Sequence, residues 1–395
     1  MTAPKDISSR DELTKRAVPS MVLSDGSPSS MTPPPATNTE SDPTTAAQKR
    51  FTVQGNAVVT GGAGTLGLQS CNALLEHGLN GLMIMDMDPT ISQKEIEELR
   101  VKYPKAKIAT LKVDVTDEVA VESAFVETTK VLGSVDALLC FVGVVGCVNS
   151  LEMPIPQWRK IMDINTTGSF ICAQAAAKRM VAQGTGGSIT FVASISGHRV
   201  NFPQPQAAYN VSKAAILMLK SCLAAEWARY GIRTNSVSPG YMDTILNAGD
   251  GIAEHRRIWA ERNPSGRMGS PSELTGAIVL LASSASTYIN GADYRDFRTT
   301  SWYQYFLGAD SIFAALQIFL ENATRDANPF EGIEGISGTQ ELGLLDYMSL
   351  SADGLCDNVG SPMLFNSYSL FPLKLELGIT SNLLLHILLN GYYND

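Results

Sequence analysis

Residues 56–67, NAVVTGGAGTLG, set an apolar run, a turn carrying four glycines and the start of a helical stretch directly in series. A chain that reverses so tightly between strand and helix has few folds open to it. The strand must enter a sheet, and the helix must lie back against it. The same alternation continues to about Asp293. Apolar runs fall at Ala57–Thr60, Leu82–Asp86, Ile108–Val113, Ala137–Val142, Ser188–Ala193 and Arg233–Val237. Helical stretches fall between and after them at Leu66–His77, Ile91–Tyr103, Glu118–Leu132, Ile155–Met180, Ala207–Tyr230 and Pro271–Ala282. Nearly continuous apolar strands imply a parallel sheet buried on both faces. Right-handed crossovers then make a doubly wound α/β sheet the topology to expect.

The rest of the chain reads differently. Residues 1–50 are rich in Pro, Ser and Thr and lack a secretory apolar core, so they read as a disordered leader, with a cleaved organelle transit peptide as the alternative. Residues 51–293, which carry the strand–helix alternation, read as one α/β domain. Residues 294–395 show no strand–helix alternation and read as an atypical C-terminal extension. The run SWYQYFLGADSIFAALQIFL within it is nearly long enough to span a membrane, but Gln304, Asp310 and Gln317 interrupt it. An amphipathic or core helix is the better reading, and no membrane association is expected. The net charge of -9 argues against nucleic acid as a partner. Of the six cysteines, Cys71, Cys140, Cys147, Cys172 and Cys222 lie in apolar or helical stretches and read as small buried hydrophobes of a reducing compartment. No cysteine or histidine spacing suggests a metal. The cytoplasm is the expected location.

Within TGGAGTLG, Gly62, Gly64 and Gly67 satisfy GxGxxG between a strand and a helix. Glycines there let backbone approach a pyrophosphate at a helix N-terminus. Gly61, Thr65 and Leu66 complete that turn. Asp86 ends the second strand about twenty residues on, where a carboxylate binds the adenosine ribose hydroxyls and repels a 2′-phosphate. Met87 and Asp88 follow, so the sequence offers no adjacent basic residue. The cofactor implied is NAD, with NADP the lesser alternative. Asp114, closing the third strand, is a candidate for adenine contact.

Residues 209–213 read YNVSK, so Tyr209 and Lys213 share one face of a helix. An ammonium near a phenol favours its ionised form and moves it toward acid–base range.

In order and spacing, TGGAGTLG, VDVT, MDINTTGSF, ITFVASISG, YNVSK and NSVSPGYMDT resemble the short-chain dehydrogenase/reductase family over about residues 52–293. The resemblance implies a Rossmann-type sheet of order 3-2-1-4-5-6-7 and a tetrad of Asn165, Ser194, Tyr209 and Lys213. In the family, Asn165 would hold a helix kink and a water linked to the lysine. Tyr209 would be the acid–base group, and Lys213 would also contact the nicotinamide ribose. Ser196 competes with Ser194 for the serine, since it stands thirteen residues before Tyr209. The resemblance further implies cofactor contacts from Val115, Gly143, Pro239, Gly240 and Thr244, with Tyr241–Pro264 as a mobile lid. A dimer or tetramer built on the helices after Asn165 and Tyr209 is implied as well.

Three departures stand out. Thr65 replaces a glycine of the family's turn. Cys140–Gly143, CFVG, replaces NNAG and lacks its asparagines. After YINGAD the final strand gives way to YRDFRTTSW, which leaves the seventh strand open between a genuine extension and a faulty gene model. On the substrate side, ASISGHRVNFPQPQAAYNVSKAA is similar to the family's fungal polyol and ketose enzymes, of the D-arabinitol 2-dehydrogenase, mannitol 2-dehydrogenase and sorbose reductase type. Ser196, His198, Asn201, Gln204 and Gln206 are candidate sugar contacts, His198 reading better as a packing residue than as a base. The expected activity is hydride transfer between NAD(H) and a polyol/ketose pair. A reductase for a secondary-metabolite ketone, and a non-catalytic nucleotide-binding module, are the alternatives.

Overall fold

A computed structural model describes residues 18–27, 30–33, 42–247 and 249–295. The expected extension therefore lies outside the described residues from 296 onward, both of its apolar runs included.

The strands are β1 (Asn56–Thr60), β2 (Gly81–Asp86), β3 (Lys107–Lys112), β4 (Ala137–Cys140), β5 (Gly187–Val192), β6 (Ile232–Ser238) and β7 (Asp293–Arg295). They form one parallel sheet in the order β3-β2-β1-β4-β5-β6-β7. The helices are α1 (Pro43–Phe51), α2 (Thr65–Glu76), α3 (Gln93–Lys102), α4 (Glu118–Leu132), α5 (Ile155–Met162), α6 (Gly168–Gln183), α7 (Ala207–Trp227), α8 (Ala253–Glu261) and α9 (Thr275–Ala282).

Strand side chains alternate in direction, and here both directions are apolar. Val58, Met83, Leu138 and Ile189 meet Phe125 of α4, Ala173 and Met180 of α6, and Ile216 and Leu223 of α7. Val59, Leu82, Ile84 and Leu139 meet Leu74 of α2, Ile96 of α3 and Ile278 of α9 on the other face. Burying each such side chain contributes roughly 1.5–3 kcal/mol, so the two layers hold the sheet between them. Every strand except β3 and β7 has a neighbour on both sides, and all point their C-terminal ends at one edge of the sheet, where ligands of such folds bind.

Four expectations change. The long helix read at Ile155–Met180 is broken by a π turn, Asp163–Thr167, between α5 and α6. One extra residue per turn throws Asn165 inward, where it is fully buried. Residues 43–50 of the leader are helical rather than disordered: Asp42 caps α1 by accepting the Thr45 N–H at 2.7 Å, Pro43 occupies its first turn, and Ser284 Oγ donates to Arg50 O at 3.0 Å. Cys147 and Cys222 are exposed, while Cys71, Cys140 and Cys172 are buried. The first lies in the loop after β4 and the second on the outer face of α7, so neither meets the core.

The fourth change is the seventh strand, which forms although the sequence left it open. Its anchor is polar. Asp293 Oδ1 accepts the Ser236 and Ser238 hydroxyls at 2.6 and 2.8 Å, and its Oδ2 meets His198 Nε2 at 2.9 Å. Buried Asn235 adds its side-chain amide to Ile289 O at 2.8 Å and accepts the Ala292 N–H at 2.9 Å. Three residues of strand suffice because β6 supplies side-chain bonds as well as backbone pairing.

Asp293→Ala removes three of these bonds at once and strands the buried Ser236 hydroxyl, Ser238 keeping only His198. It is expected to destabilise the domain by about 2–3 kcal/mol, read as a lower urea midpoint at unchanged slope. An unchanged midpoint would show that β7 is held by its backbone alone.

Candidate active site

The β1–α2 turn is closed to side chains. Gly61 has φ +67°, and a Cβ there would lie 2.7 Å from Val142 N. A Cβ on Gly62 would lie 2.9 Å from Val59 O, and one on Gly67 would run into Gly61 O. Gly64 is the N-cap of α2 and offers no side-chain hydrogen bond to the helix start, while Thr65 is exposed at the first helical position. The first N–H groups of α2 are thus uncapped by any side chain at its N-cap. Leu66 turns into the core and gives its carbonyl to Ser70 Oγ at 2.8 Å.

Asp86 folds back on this turn. Its Oδ2 accepts the Ala63 N–H at 3.2 Å and its Oδ1 the Asp88 N–H at 3.3 Å. A backbone cradle, a free helix N-terminus and an acid at the next strand end together fit the diphosphate and ribose of a nicotinamide dinucleotide. The register of β2 on β3 adds what sequence adjacency hides: Lys112 is the direct neighbour of Asp86.

Asp114 and Val115 are occupied locally. The Asp114 carboxylate accepts the Thr116 N–H and hydroxyl at 2.9 and 2.7 Å. Val115 is buried against the start of α6, where a Cβ on Gly168 would lie 2.6 Å from its Cγ2. Pro239 O accepts the Ile195 N–H at 3.1 Å and so ties the Pro239–Gly240 turn to the serine loop. Thr244 is half-buried beyond it, its carbonyl accepting the Asn247 N–H at 2.9 Å.

Three elements, the π turn, the loop after β5 and α7, bring Asn165, Ser194, Tyr209 and Lys213 together. Asn165 Oδ1 accepts the Val144 N–H at 2.8 Å, and its Nδ2 donates to Val144 O and Ser212 Oγ, both at 2.9 Å. That one amide clamps the loop after β4 to α7. Lys213 is buried and donates from Nζ to Val192 O at 2.7 Å. A Cβ on Gly143 would lie 3.3 Å from that Nζ. Gly197 presses on the Lys213 backbone, where a Cβ would lie 2.7 Å from its carbonyl carbon and oxygen. Ser194 lies two residues beyond β5, and its side chain acts on the Tyr209 phenol, lowering its pKa. Ser196 stands behind it, receiving the Ser194 hydroxyl at 3.0 Å and Gln206 Nε2 at 3.3 Å. Of the two competing serines, Ser194 is the one on the phenol.

The electrostatics differ from the simple expectation. Lys213 Nζ lies 5.7 Å from the Tyr209 ring centre, over the face of the ring, and spends itself on Val192 O. Burial pushes the Tyr209 phenol above its ordinary range, and the Ser194 hydrogen bond offsets this only in part. Burial also lowers Lys213 to about 8. Desolvation therefore outweighs the expected ammonium–phenol attraction in the free protein and shifts both groups toward their neutral forms, although Lys213 stays mostly charged at neutral pH.

His198 points away from the phenol, to Ser238 Oγ at 3.1 Å and Asp293 Oδ2 at 2.9 Å, and is a packing residue. Asn201 and Gln204 turn to Tyr241. Sequence reasoning gave Tyr241 only as the edge of a lid and did not single out Trp259. Their rings stack at 4.3 Å and 5° although they are eighteen residues apart, with no periodic signal between them. Among the described residues no group of three or more His, Cys, Asp and Glu could hold a metal, and no helix is long and apolar enough to cross a membrane.

Comparison with known proteins agrees with this geometry. Residues 61–295 match the family model described as Enoyl-(Acyl carrier protein) reductase. The chain is 36% identical over 250 residues to a probable NADP-dependent mannitol dehydrogenase of Yarrowia lipolytica, covering 62% of this chain and 87% of that one. It is 35% identical over 257 residues to a D-arabinitol 2-dehydrogenase (ribulose-forming) of Candida albicans, covering 61% and 91%. A short-chain type dehydrogenase/reductase of Mycobacterium marinum superposes with a TM-score of 0.61 at 36% identity, over 64% of this chain and 98% of that one. The glycine turn, the half-buried Tyr209 beside the buried Lys213 and these likenesses agree: the chain belongs to the short-chain dehydrogenase/reductase family, enzymes that act with NAD(P) on CH–OH groups.

Proposed function

We propose that this protein interconverts a polyol and a ketose, with Tyr209 exchanging a proton at the reacting oxygen. The observation that carries the reading is the meeting of Tyr209, Ser194 and Lys213 at the end of β5, beside a loop that brings Asn201, Gln204 and Gln206 to the same cleft. The polyol substrates named for the Yarrowia and Candida relatives support it.

What a bound nicotinamide dinucleotide supplies is the hydride acceptor or donor. The chain's own residues handle the oxygen. Tyr209 holds or takes the proton, and Ser194 donates a hydrogen bond where negative charge develops. Gly61, Gly62, Gly64, Thr65, Leu66 and Gly67 would cradle the diphosphate. Asp86 would take the ribose hydroxyls. Gly143, Lys213, Pro239, Gly240 and Thr244 would line the nicotinamide end, with Asn165 holding the Gly143 loop in place. Asp114 and Val115 would border the adenine through backbone, since their side chains are engaged elsewhere.

Asp86 favours NAD. Lys112 beside it supports a second reading, in which NADP is accepted and the lysine takes the 2′-phosphate, as the name of the Yarrowia relative suggests. The outward faces of α6 and α7 expose Phe170, Val211 and Met218, which supports a homo-oligomer packed on these helices.

Three outcomes are expected. Tyr209→Phe lowers kcat for D-arabinitol or mannitol oxidation by 10²- to 10⁴-fold, roughly the contribution of a positioned acid–base group, while cofactor binding persists. Full turnover in that variant would remove Tyr209 from the reaction. Asp86→Ser shifts the ratio of kcat/KM for NAD over NADP toward NADP by about tenfold or more, as expected for a lost carboxylate–ribose contact. An unmoved ratio would assign the choice to Lys112. Lys213→Met tests the buried ammonium. The lysine's folded pKa of about 8 lies below its unfolded value of 10.5, so the native chain gains stability as pH rises between those values. Below pH 8 the burial costs about 3 kcal/mol. The variant should therefore gain most on the native chain near pH 7, and the gap should close toward pH 10.5, read by urea unfolding. A gap independent of pH would mean that Lys213 titrates alike in both states.

A further inference from the structure

We propose that Tyr241 and Asn201 form a subsite that reads a substrate hydroxyl removed from the reacting carbon. This deepens the polyol reading above and rests on it.

The argument begins with Trp259, whose indole nitrogen can only donate. It donates to Gln204 Oε1 at 3.1 Å, which fixes the Gln204 amide so that Nε2 faces Tyr241. Gln204 Nε2 donates to the Tyr241 hydroxyl oxygen at 3.0 Å, and Asn201 Nδ2 donates to the same oxygen at 2.7 Å. The phenol oxygen thus accepts twice, and its own proton is given to neither amide. On the other side of the pair, Asn201 Oδ1 is buried without a hydrogen-bond partner among the described residues. An unspent donor and an unspent acceptor stand next to each other. A hydroxyl is both acceptor and donor, and one hydroxyl satisfies the two together. Turning the Asn201 amide over would use the phenol proton but strand Nδ2 instead, so a polar end remains for a ligand in either orientation.

The group is rigid and well placed. Tyr241 stacks face to face on Trp259, itself buried, so the phenol oxygen is held where it is. Burial pushes the Tyr241 phenol up, which keeps it a donor. Tyr241 directly follows Pro239–Gly240, and it is near enough to Tyr209 to raise that phenol's pKa. Asn201 stands in the loop that runs into α7 just before Tyr209. Ser196 and Gln206, the other polar candidates of this loop, are spent on each other and on Ser194 and Cys147. Reading of a second hydroxyl therefore falls to Tyr241 and Asn201.

A site built this way discriminates strongly, because a substrate lacking the hydroxyl leaves buried polar groups unpaired. The measurement is kcat/KM of the full chain with its nicotinamide cofactor for D-arabinitol and for meso-butane-2,3-diol, which carries a reacting carbinol but no distal hydroxyl. The native chain should favour the pentitol by 10²-fold or more. Tyr241→Phe and Asn201→Leu should each lower that ratio by 10- to 100-fold. The ratio is independent of how much of a variant is folded, so a loss of stability does not imitate the result. A ratio unchanged in both variants, with both substrates falling together, would reduce the pair to lid packing and overturn the subsite alone. A native chain that oxidises neither alcohol would overturn the polyol reading, and the subsite with it.

Discussion

The close approach of α7 to the ends of β4 and β5 is the constraint on which the site depends. Lys213 sits where no side chain could stand on Gly143 or Gly197 without displacing it. Its Nζ is pinned to Val192 O, so the lysine is fixed by strand β5 rather than by the phenol. Asn165 closes the arrangement from below, with its single amide shared between the loop after β4 and Ser212 of α7. That is possible only because a π turn rotates Asn165 inward from a helix that would otherwise carry it past. The turn spends helix regularity to place one amide, a common use of such bulges.

Much of this was legible in the sequence. The strand–glycine–helix series fixed the orientation of β1 and α2, and the apolar runs located six strands to within a few residues. YNVSK placed Tyr209 and Lys213 on one face because helix spacing is a local property. Where reading failed, the cause was a long-range contact. The order of bonds among Ser194, Ser196 and Gln206 depends on a loop returning to its own strand end: spacing to Tyr209 favoured Ser196, and only the place of Ser194 after the strand spoke for it. Lys112 stands beside Asp86 only through strand register. The Tyr241–Trp259 stack joins a turn to α8, and no periodicity links them. CFVG lacks the asparagines of NNAG, and in this structure Asn165 holds the loop after β4 through both backbone groups of Val144.

The far edge of the sheet follows a different rule. β7 has little apolar pattern to announce it, and its pairing rests on Asn235, Ser236 and Ser238, buried polar residues of β6. Their side chains would be costly to bury unpartnered, so they demand the Asp293 carboxylate and the backbone around Ile289–Ala292. In a purely apolar strand the edge could slip. Here each polar group names its partner, and register follows from satisfaction rather than from shape.

His198 joins that edge to the chemistry. It lies four residues after Ser194 in one continuous loop, and it bonds Asp293 at the start of β7. Gly197 between them is pressed on the backbone of Lys213. The serine loop is therefore gripped at three points: by Pro239 through Ile195, by α7 through Gly197, and by β7 through His198. Burial and the neighbouring Arg295 hold His198 below its ordinary pKa against the pull of Asp293, so the grip is made mainly by a neutral imidazole. A neutral ring can donate through Nε2 to the Asp293 carboxylate without adding a buried charge. The position of Ser194 is thus tied to the edge strand β7, which is why polar bonds at the sheet edge bear on the geometry around the phenol.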